Sequence, residues 1–247
     1  MKRNTMTTDI YTQLKDKALK FREFDTLMDE KIVITARVLS ITEAIGNPEA
    51  KDYPIQKGKE KLMQAEFKGA LGQAFTDHAG NFEGTLKDVF SLPLTHNFQK
   101  ALFISALNAV LRYLGRIDKS IHCRDEEPVA CAVKLVSHIR ETYGDVKITQ
   151  IGFQPRMAQY LSPVFPLRLV DLDPENIGQK KQGVLIEGPE ATEDAVNWCD
   201  LLLVTGTTVA NGSIELFLNR KPVLFYGTTI AGAAMLMGWN RFCFKGV

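Results

Sequence analysis

The chain has 247 residues, 45% of them hydrophobic and 24% charged, and its 30 basic and 29 acidic side chains leave a formal charge of +1. This is the composition of an average globular protein and excludes disordered, collagen-like and disulfide-scaffold chains. Lys and Arg gather no more densely than at Lys2-Arg3 and Lys57-Gly58-Lys59, too little for the basic face of a phosphate-backbone binder, so no nucleic-acid partner is expected.

The positive N-terminus, Met1 to Thr8, has no apolar stretch after it, and a secretion signal is not expected. The most apolar runs, Leu201–Val204 and Ala231–Trp239, fall well below the roughly 18 residues needed to cross a bilayer, so no membrane span is expected. Four cysteines (123, 131, 199 and 243) without a CxxC suit reduced thiols and a cytoplasmic protein.

Asp9 to Met28 carries apolar residues at helical spacing, and Lys31 to Ile41 turns β-branched and alternating, so a helix leads into a strand. Gly46 to Lys61 is rich in Gly, Pro and charge and reads as a loop, followed by an extended stretch over Met63–Thr76. Phe103, Leu107, Val110, Leu111 and Leu114 recur at three and four and predict a helix over Asn97–Leu114, with Gly115 in the position that ends helices.

From there helix and strand alternate. Helices are expected near Pro128–Tyr143, Pro155–Leu161, Glu190–Trp198, Asn211–Leu218 and Ile230–Met237. Strands are expected at Val146–Ile151, Leu167–Val170, Val184–Ile186, Leu201–Val204, Pro222–Phe225 and Phe242–Phe244. Short β-branched runs between helices predict an α/β fold with a Rossmann-like, doubly wound, mostly parallel sheet in the C-terminal half. The boundary between the two parts falls between Gly115 and Asp125.

In such a sheet ligands sit outside the carboxyl ends of the strands. Two of those ends carry the same tripeptide: Thr205-Gly206-Thr207-Thr208, extended by Asn211, and Gly227-Thr228-Thr229. Glycine admits a ligand close to the backbone, and the hydroxyls can donate to phosphate or carboxylate oxygens, although helix N-capping also places Thr there. A third turn, Gly152-Phe153-Gln154-Pro155-Arg156, adds a cation able to pair an anion. Asp171 lies 19 residues beyond Gly152, near the position of a ribose-binding acid in dinucleotide sites. GxGxxG itself is absent, and Asp171 and Asp173 also fit an ordinary solvent-facing turn. The expected ligand is a small anionic or heterocyclic metabolite; the sequence names no cofactor, and a nucleotide or S-adenosylmethionine-like molecule fits these turns.

The chemical cluster of the first half is His122-Cys123-Arg124-Asp125-Glu126-Glu127-Pro128, with Cys131 beyond it. Acids in the first turn of a helix complement its dipole, but closely spaced carboxylates in a cleft also raise one another's pKa, so Asp125, Glu126 and Glu127 are candidate acid–base groups. His122, Cys123 and Cys131 are candidate ligands of a transition metal, although their gaps match no recognised spacing, nor does the Asp77-His78 pair. His96 and His138 read as structural or surface residues. Neither GxSxG nor HExxH occurs, which excludes the commonest hydrolase plans.

These motifs resemble the family of putative heavy-metal-chelation proteins, a former domain of unknown function. The likeness is carried by Gly58-Lys59-Glu60, Gly72-Gln73-Ala74-Phe75-Thr76-Asp77, the His122 to Pro128 segment, Gln154-Pro155-Arg156, Asp171-Leu172-Asp173-Pro174, Asn176-Ile177-Gly178, Ile186-Glu187-Gly188-Pro189-Glu190, and the two Gly-Thr-Thr loops. The resemblance implies a small enolase-N-terminal-like α+β domain, here residues 1–120, followed by a Rossmann-like domain, residues 121–247, with the site between them. It adds Asn176 and Glu187 to the candidate ligand-binding residues. It also implies condensation or hydrolysis of flavin-, pterin- or siderophore-like chelators linked to heavy-metal handling.

Two other readings stand beside that one. The first is a non-catalytic binder of metal or metal chelate. The second is an S-adenosylmethionine-dependent methyltransferase, motivated by Asp171, although the Gly-Phe-Gln-Pro-Arg turn lacks the glycine-rich loop of such enzymes. A homo-oligomer completing the site is a further expectation. All three share one spatial requirement: the glycine turns of the second half must face the Asp125 segment across a common pocket.

Overall fold

The computed structural model describes residues 9–28, 33–58 and 60–247. The N-terminal basic stretch, Lys31, Ile32 and Lys59 therefore lie outside the described residues. In chain order the elements are α1 (Ile10–Leu19), α2 (Arg22–Met28), β1 (Val33–Val38), α3 (Ile41–Ile45), β2 (Lys61–Phe67), β3 (Ala70–Thr76), β4 (Phe82–Thr85), α4 (Leu86–Phe90), α5 (Asn97–Tyr113), α6 (Glu127–Tyr143), β5 (Ile148–Ile151), α7 (Pro155–Leu161), β6 (Leu167–Val170), β7 (Lys180–Lys181), β8 (Val184–Glu187), α8 (Thr192–Trp198), β9 (Leu201–Thr205), α9 (Thr208–Asn211), β10 (Val223–Tyr226), α10 (Ala231–Met237) and β11 (Arg241–Phe242).

Two sheets result, one of four strands in the order β3-β2-β1-β4 and one of seven in the order β11-β10-β9-β5-β6-β8-β7. The pairs of the small sheet are antiparallel. Those of the large sheet are parallel except at the two-residue edge strand β7. The expected mixed α/β architecture with a mostly parallel sheet is thus present. The large sheet starts at its centre with β5, grows through β6 and β8 on one side, and then returns to add β9, β10 and β11 on the other. Neighbouring connections diverge between β5 and β9, and the crevice that this leaves at the strand ends is where α/β sheets hold ligands.

Alternation along β9 shows that both faces are covered. Leu201 and Leu203 pack with Leu135 and Ile139 of α6, whereas Leu202 and Val204 pack in a larger core that contains α5, α8 and α10. Helix α5 explains why the halves are welded together. It is buried from Ala101 to Leu111 without interruption, because one side lies on β2 and β3 and the other on α9 and α10. A helix apolar all round is a helix between two layers. Helix α1 also crosses to the second half, where it packs on α10 and the Tyr11 hydroxyl donates to the Val209 carbonyl at 2.8 Å.

Four sequence expectations are corrected. The first helix breaks at Lys20-Phe21 into α1 and α2. The single extended stretch Met63–Thr76 is a hairpin, closed by Lys68 and Gly69 at positive φ. The helix expected at Asn211–Leu218 begins earlier, as α9, and is ended at Gly212 by a left-handed residue before a 3-10 turn over Ser213–Leu216. The last strand is Arg241–Phe242 instead of Phe242–Phe244. Short elements, whose turn chemistry competes with the apolar period, account for all four.

Close approach of β3 to α5 requires Gly72, since a Cβ there would sit 2.2 Å from the Ala109 nitrogen and 2.4 Å from the Ser105 carbonyl oxygen. Gly72→Ala should therefore cost about 2 kcal/mol of stability as the helix is pushed off the sheet. Urea unfolding that leaves the midpoint unchanged would contradict this packing.

Candidate functional site

At the divergence of β5 and β9 lies a cleft of about 940 Å³, walled on one side by the strand ends of the large sheet and on the other by the Ile45–Ile55 loop, Glu60 and the end of β3. Its floor holds the glycine turns: Gly152 to Gln154 after β5, Thr205 to Thr208 after β9, and Gly227 to Thr229 after β10. Asp171, Asp173, Asn176 and Asn211 line it too, as do Asp125, His122, Cys123 and Cys131. The amide-rich turns and the acidic segment therefore share one pocket. Arg156, Glu187, Glu126 and Glu127 do not line it.

The two Gly-Thr-Thr loops are built differently. After β9, the Thr208 hydroxyl donates to the Thr205 carbonyl at 2.7 Å, and Thr205 Oγ1 accepts from the Thr207 amide at 3.3 Å. The first residues of α9 and α10 receive no side-chain cap, so N-capping does not account for these threonines. After β10, Thr229 Oγ1 accepts the Phe75 amide at 3.1 Å and so ties the turn to β3. Thr228, 2% exposed, keeps a hydroxyl with no partner. Gly152 is held at φ +87, with Thr205 Cγ2 and the Tyr226 hydroxyl so near that a side chain has no room. Tyr226 donates from there to the Gly152 carbonyl at 2.9 Å.

Other candidates are engaged by the protein itself. Arg156 does pair an anion, the carboxylate of Asp52 in the small-sheet half, and lies over the Tyr53 ring. Asp171 accepts from the amides of Phe153 (2.7 Å) and Asp173 (2.8 Å) and from Asn176 Nδ2 (3.3 Å), so it fastens the β5 turn to the β6 turn. Glu187 makes a two-pronged pair with Arg168. Asp125 accepts the Asn47 amide at 2.8 Å, Glu126 the Glu49 amide at 2.7 Å, and Glu127 the Arg124 amide at 2.9 Å. The first two of these carboxylates anchor the loop after α3 against the entry to α6.

His122 stands edge-on to Phe75, and its buried Nδ1 has no partner. Burial pushes its pKa down to about 4, so the ring is neutral at pH 7. Cys131, Cys123 and Cys243 all line the cleft. Among the described residues, no three His, Cys, Asp or Glu side chains are grouped to hold a metal ion.

Sequence reasoning missed two groups. Glu60 faces Asp77, Asp171 and Asp173, and burial together with these three charges pushes its carboxyl up to about 7. The β2–β3 register pairs Lys61 with Thr76, which sets Glu60 beside Asp77 at the cleft edge. Tyr53, 7% exposed, lines the same cleft and has a buried hydroxyl without a partner, and burial pushes its pKa up to about 12. Glu60 sits in one of the short motifs quoted above, but nothing in its spacing reveals that it meets acids a hundred residues away. Among the described lining residues, Arg220 is the only guanidinium, and Glu193 holds it at 2.7 Å, whereas seven carboxylates line the same walls.

Residues 134–230, from within α6 to the residue before α10, match a family model. The family is DUF364, described as "Putative heavy-metal chelation". Among solved structures, a DUF364 protein of unknown function from Pyrococcus horikoshii superposes with a TM-score of 0.57 at 14% identity, covering 89% of this chain and 79% of that one. A DUF364 protein of unknown function from Desulfitobacterium hafniense gives 0.48 at 16% identity, covering 72% of each chain. The Pyrococcus likeness extends the shared fold beyond the matched segment, to both sheets. No curated protein matches the chain. Among the described residues no helix is long and apolar enough to cross a membrane.

Proposed function

We propose that the cleft binds a small heterocyclic or metal-chelating metabolite and is the active site of an enzyme acting on it. One observation carries this reading: three residues that line the cleft, drawn from both halves of the chain, hold buried polar atoms that no protein group satisfies, Tyr53 Oη, His122 Nδ1 and Thr228 Oγ1. Each such atom costs about 1–3 kcal/mol while unpaired, and a ligand carrying ring nitrogens and carbonyls would satisfy all three. The acidic lining favours a ligand that is neutral or brings a cation over a free anion, and a chelator carrying its own metal fits the DUF364 description. Glu60, poised near neutrality, and Asp125 are the candidate acid–base pair, since a group titrating near the working pH transfers protons most effectively.

Thermal melting of the full chain with a flavin, a pterin and a catechol-type chelator, each with and without iron(III) or zinc, tests the reading. A ligand at a hundred times its Kd should add about 2.7 kcal/mol and raise Tm by roughly 5–10 °C. Thr228→Val and Tyr53→Phe should each weaken that gain and raise the unliganded Tm by a few degrees, because each removes a buried hydroxyl that has no partner. If no compound shifts the melt, or if the variants respond as the parent does, the cleft is not the binding site.

A further inference from the structure

Three of the four cysteines come from separate segments to the lining of the cleft: Cys123 from the link between the halves, Cys131 from the second turn of α6, and Cys243 from beyond β11. Cys131 has a backbone donor. Its Sγ accepts the Lys245 amide at 3.3 Å, and Cys123 is its neighbour. The segment that supplies this amide is pinned in turn, because Ile121 and Val247 exchange backbone hydrogen bonds of 2.9 and 3.1 Å.

From this geometry we propose that Cys123 and Cys131 are a reactive thiol pair opening on the cleft, with Cys131 the nucleophile and low-molecular-weight disulfides of the glutathione type the co-reactant. Donors aimed at a sulfur favour its thiolate, and the thiolate is the form that attacks. Cys243 Sγ lies against Gly246 instead. Cys199 is fully buried outside the cleft, with its thiol donating to the Val196 carbonyl, and serves as an internal control.

The step balances as follows. The Cys131 thiolate attacks one sulfur of the disulfide; the S–S bond breaks and one thiolate leaves, taking up a proton. Cys123 then loses its proton and attacks the Cys131 sulfur of the mixed disulfide, expelling the second thiol. Two protein thiols are oxidised by two electrons, and one small disulfide is reduced to two thiols. The product bridges the link between the halves to α6 and removes the Cys123 thiol from the wall beside His122, so the oxidation state would set the shape of the cleft whatever ligand it holds.

The test uses the full chain, reduced and freed of metal with a chelator, then exposed to oxidised glutathione, acid-quenched and mapped by mass spectrometry. The expected result is a Cys123–Cys131 linkage forming at least tenfold faster than any modification of Cys199. Cys123→Ser should trap glutathione on Cys131, Cys131→Ser should suppress the fast reaction, and Cys199→Ser should leave it unchanged. Equal reactivity of all four thiols, first capture at Cys243, or a fast reaction that survives Cys131→Ser would overturn the proposal. So would wild-type protein that stays reduced while both serine variants melt as the parent does.

Discussion

Asn108→Ala is expected to lower the stability of the protein by about 4 kcal/mol and its Tm by roughly 10 °C, the largest effect of any single polar substitution proposed for this chain. Asn108 is fully buried in the middle of α5. Its Nδ2 donates to the carbonyls of Gln73 at 3.0 Å and Thr229 at 3.1 Å, and its Oδ1 accepts the Gly232 amide at 2.8 Å. One side chain thus joins β3, the turn after β10 and the first turn of α10. Alanine would leave an amide and two carbonyls buried without partners, and each orphan costs about 1–3 kcal/mol. Urea unfolding measures the loss. A change below about 1 kcal/mol would mean that water reaches this junction and that the two layers are not sealed around α5. Because the same bond positions the Thr228 turn, ligand binding should weaken in the variant even where it remains folded.

Glu60→Gln should act in the opposite direction, stabilising the protein at pH 8 by on the order of 3 kcal/mol and changing nothing near pH 4. The Glu60 carboxyl rises to about 7 in the folded chain because burial and the carboxylates of Asp77, Asp171 and Asp173 all disfavour its charge. Unfolded, it returns to an ordinary value near 4.3. Between those two values the folded state holds the proton that the unfolded state has released, so stability falls as pH rises across that window and is flat beyond it. Glutamine, similar in shape and never charged, removes the slope. Urea titrations of both proteins at several pH values between 4 and 8 decide the matter. Parallel curves would show that the carboxyl is solvated and would remove Glu60 as an acid–base candidate. A group kept at such a cost to stability is characteristic of a functional site.

Much of the second half was legible from residue pattern. Helix α7 and strand β6 fall where periodicity placed them, and the glycine turns stand at strand ends because a parallel sheet leaves its connections there. In the first half, α5 was located correctly, yet its role was not. A run from Ala101 to Leu111 reads as a helix with an apolar face, and only packing shows that every face is buried, because β2 and β3 lie on one side and α9 and α10 on the other. Strand β4 and helix α4 escaped notice because each is too short for its period to rise above the surrounding sequence.

The candidate site divides along the same line. Residue type and local spacing by themselves determined that the chain alternates into a mostly parallel sheet, that its strand ends carry Gly and Thr, and that acids, His and Cys cluster before α6. Tertiary structure alone decided which of these groups remain free to act. Arg156, Asp171 and Glu187 have the right chemistry for a ligand but spend it on Asp52, on the β5 turn and on Arg168. Glu60, Tyr53 and Cys243 carry no local signature, yet they arrive at the cleft. The physical reason is that backbone conformation is set by neighbours in sequence, whereas the charge state and unmet hydrogen bonds of a side chain are set by whatever the fold brings within a few ångströms of it.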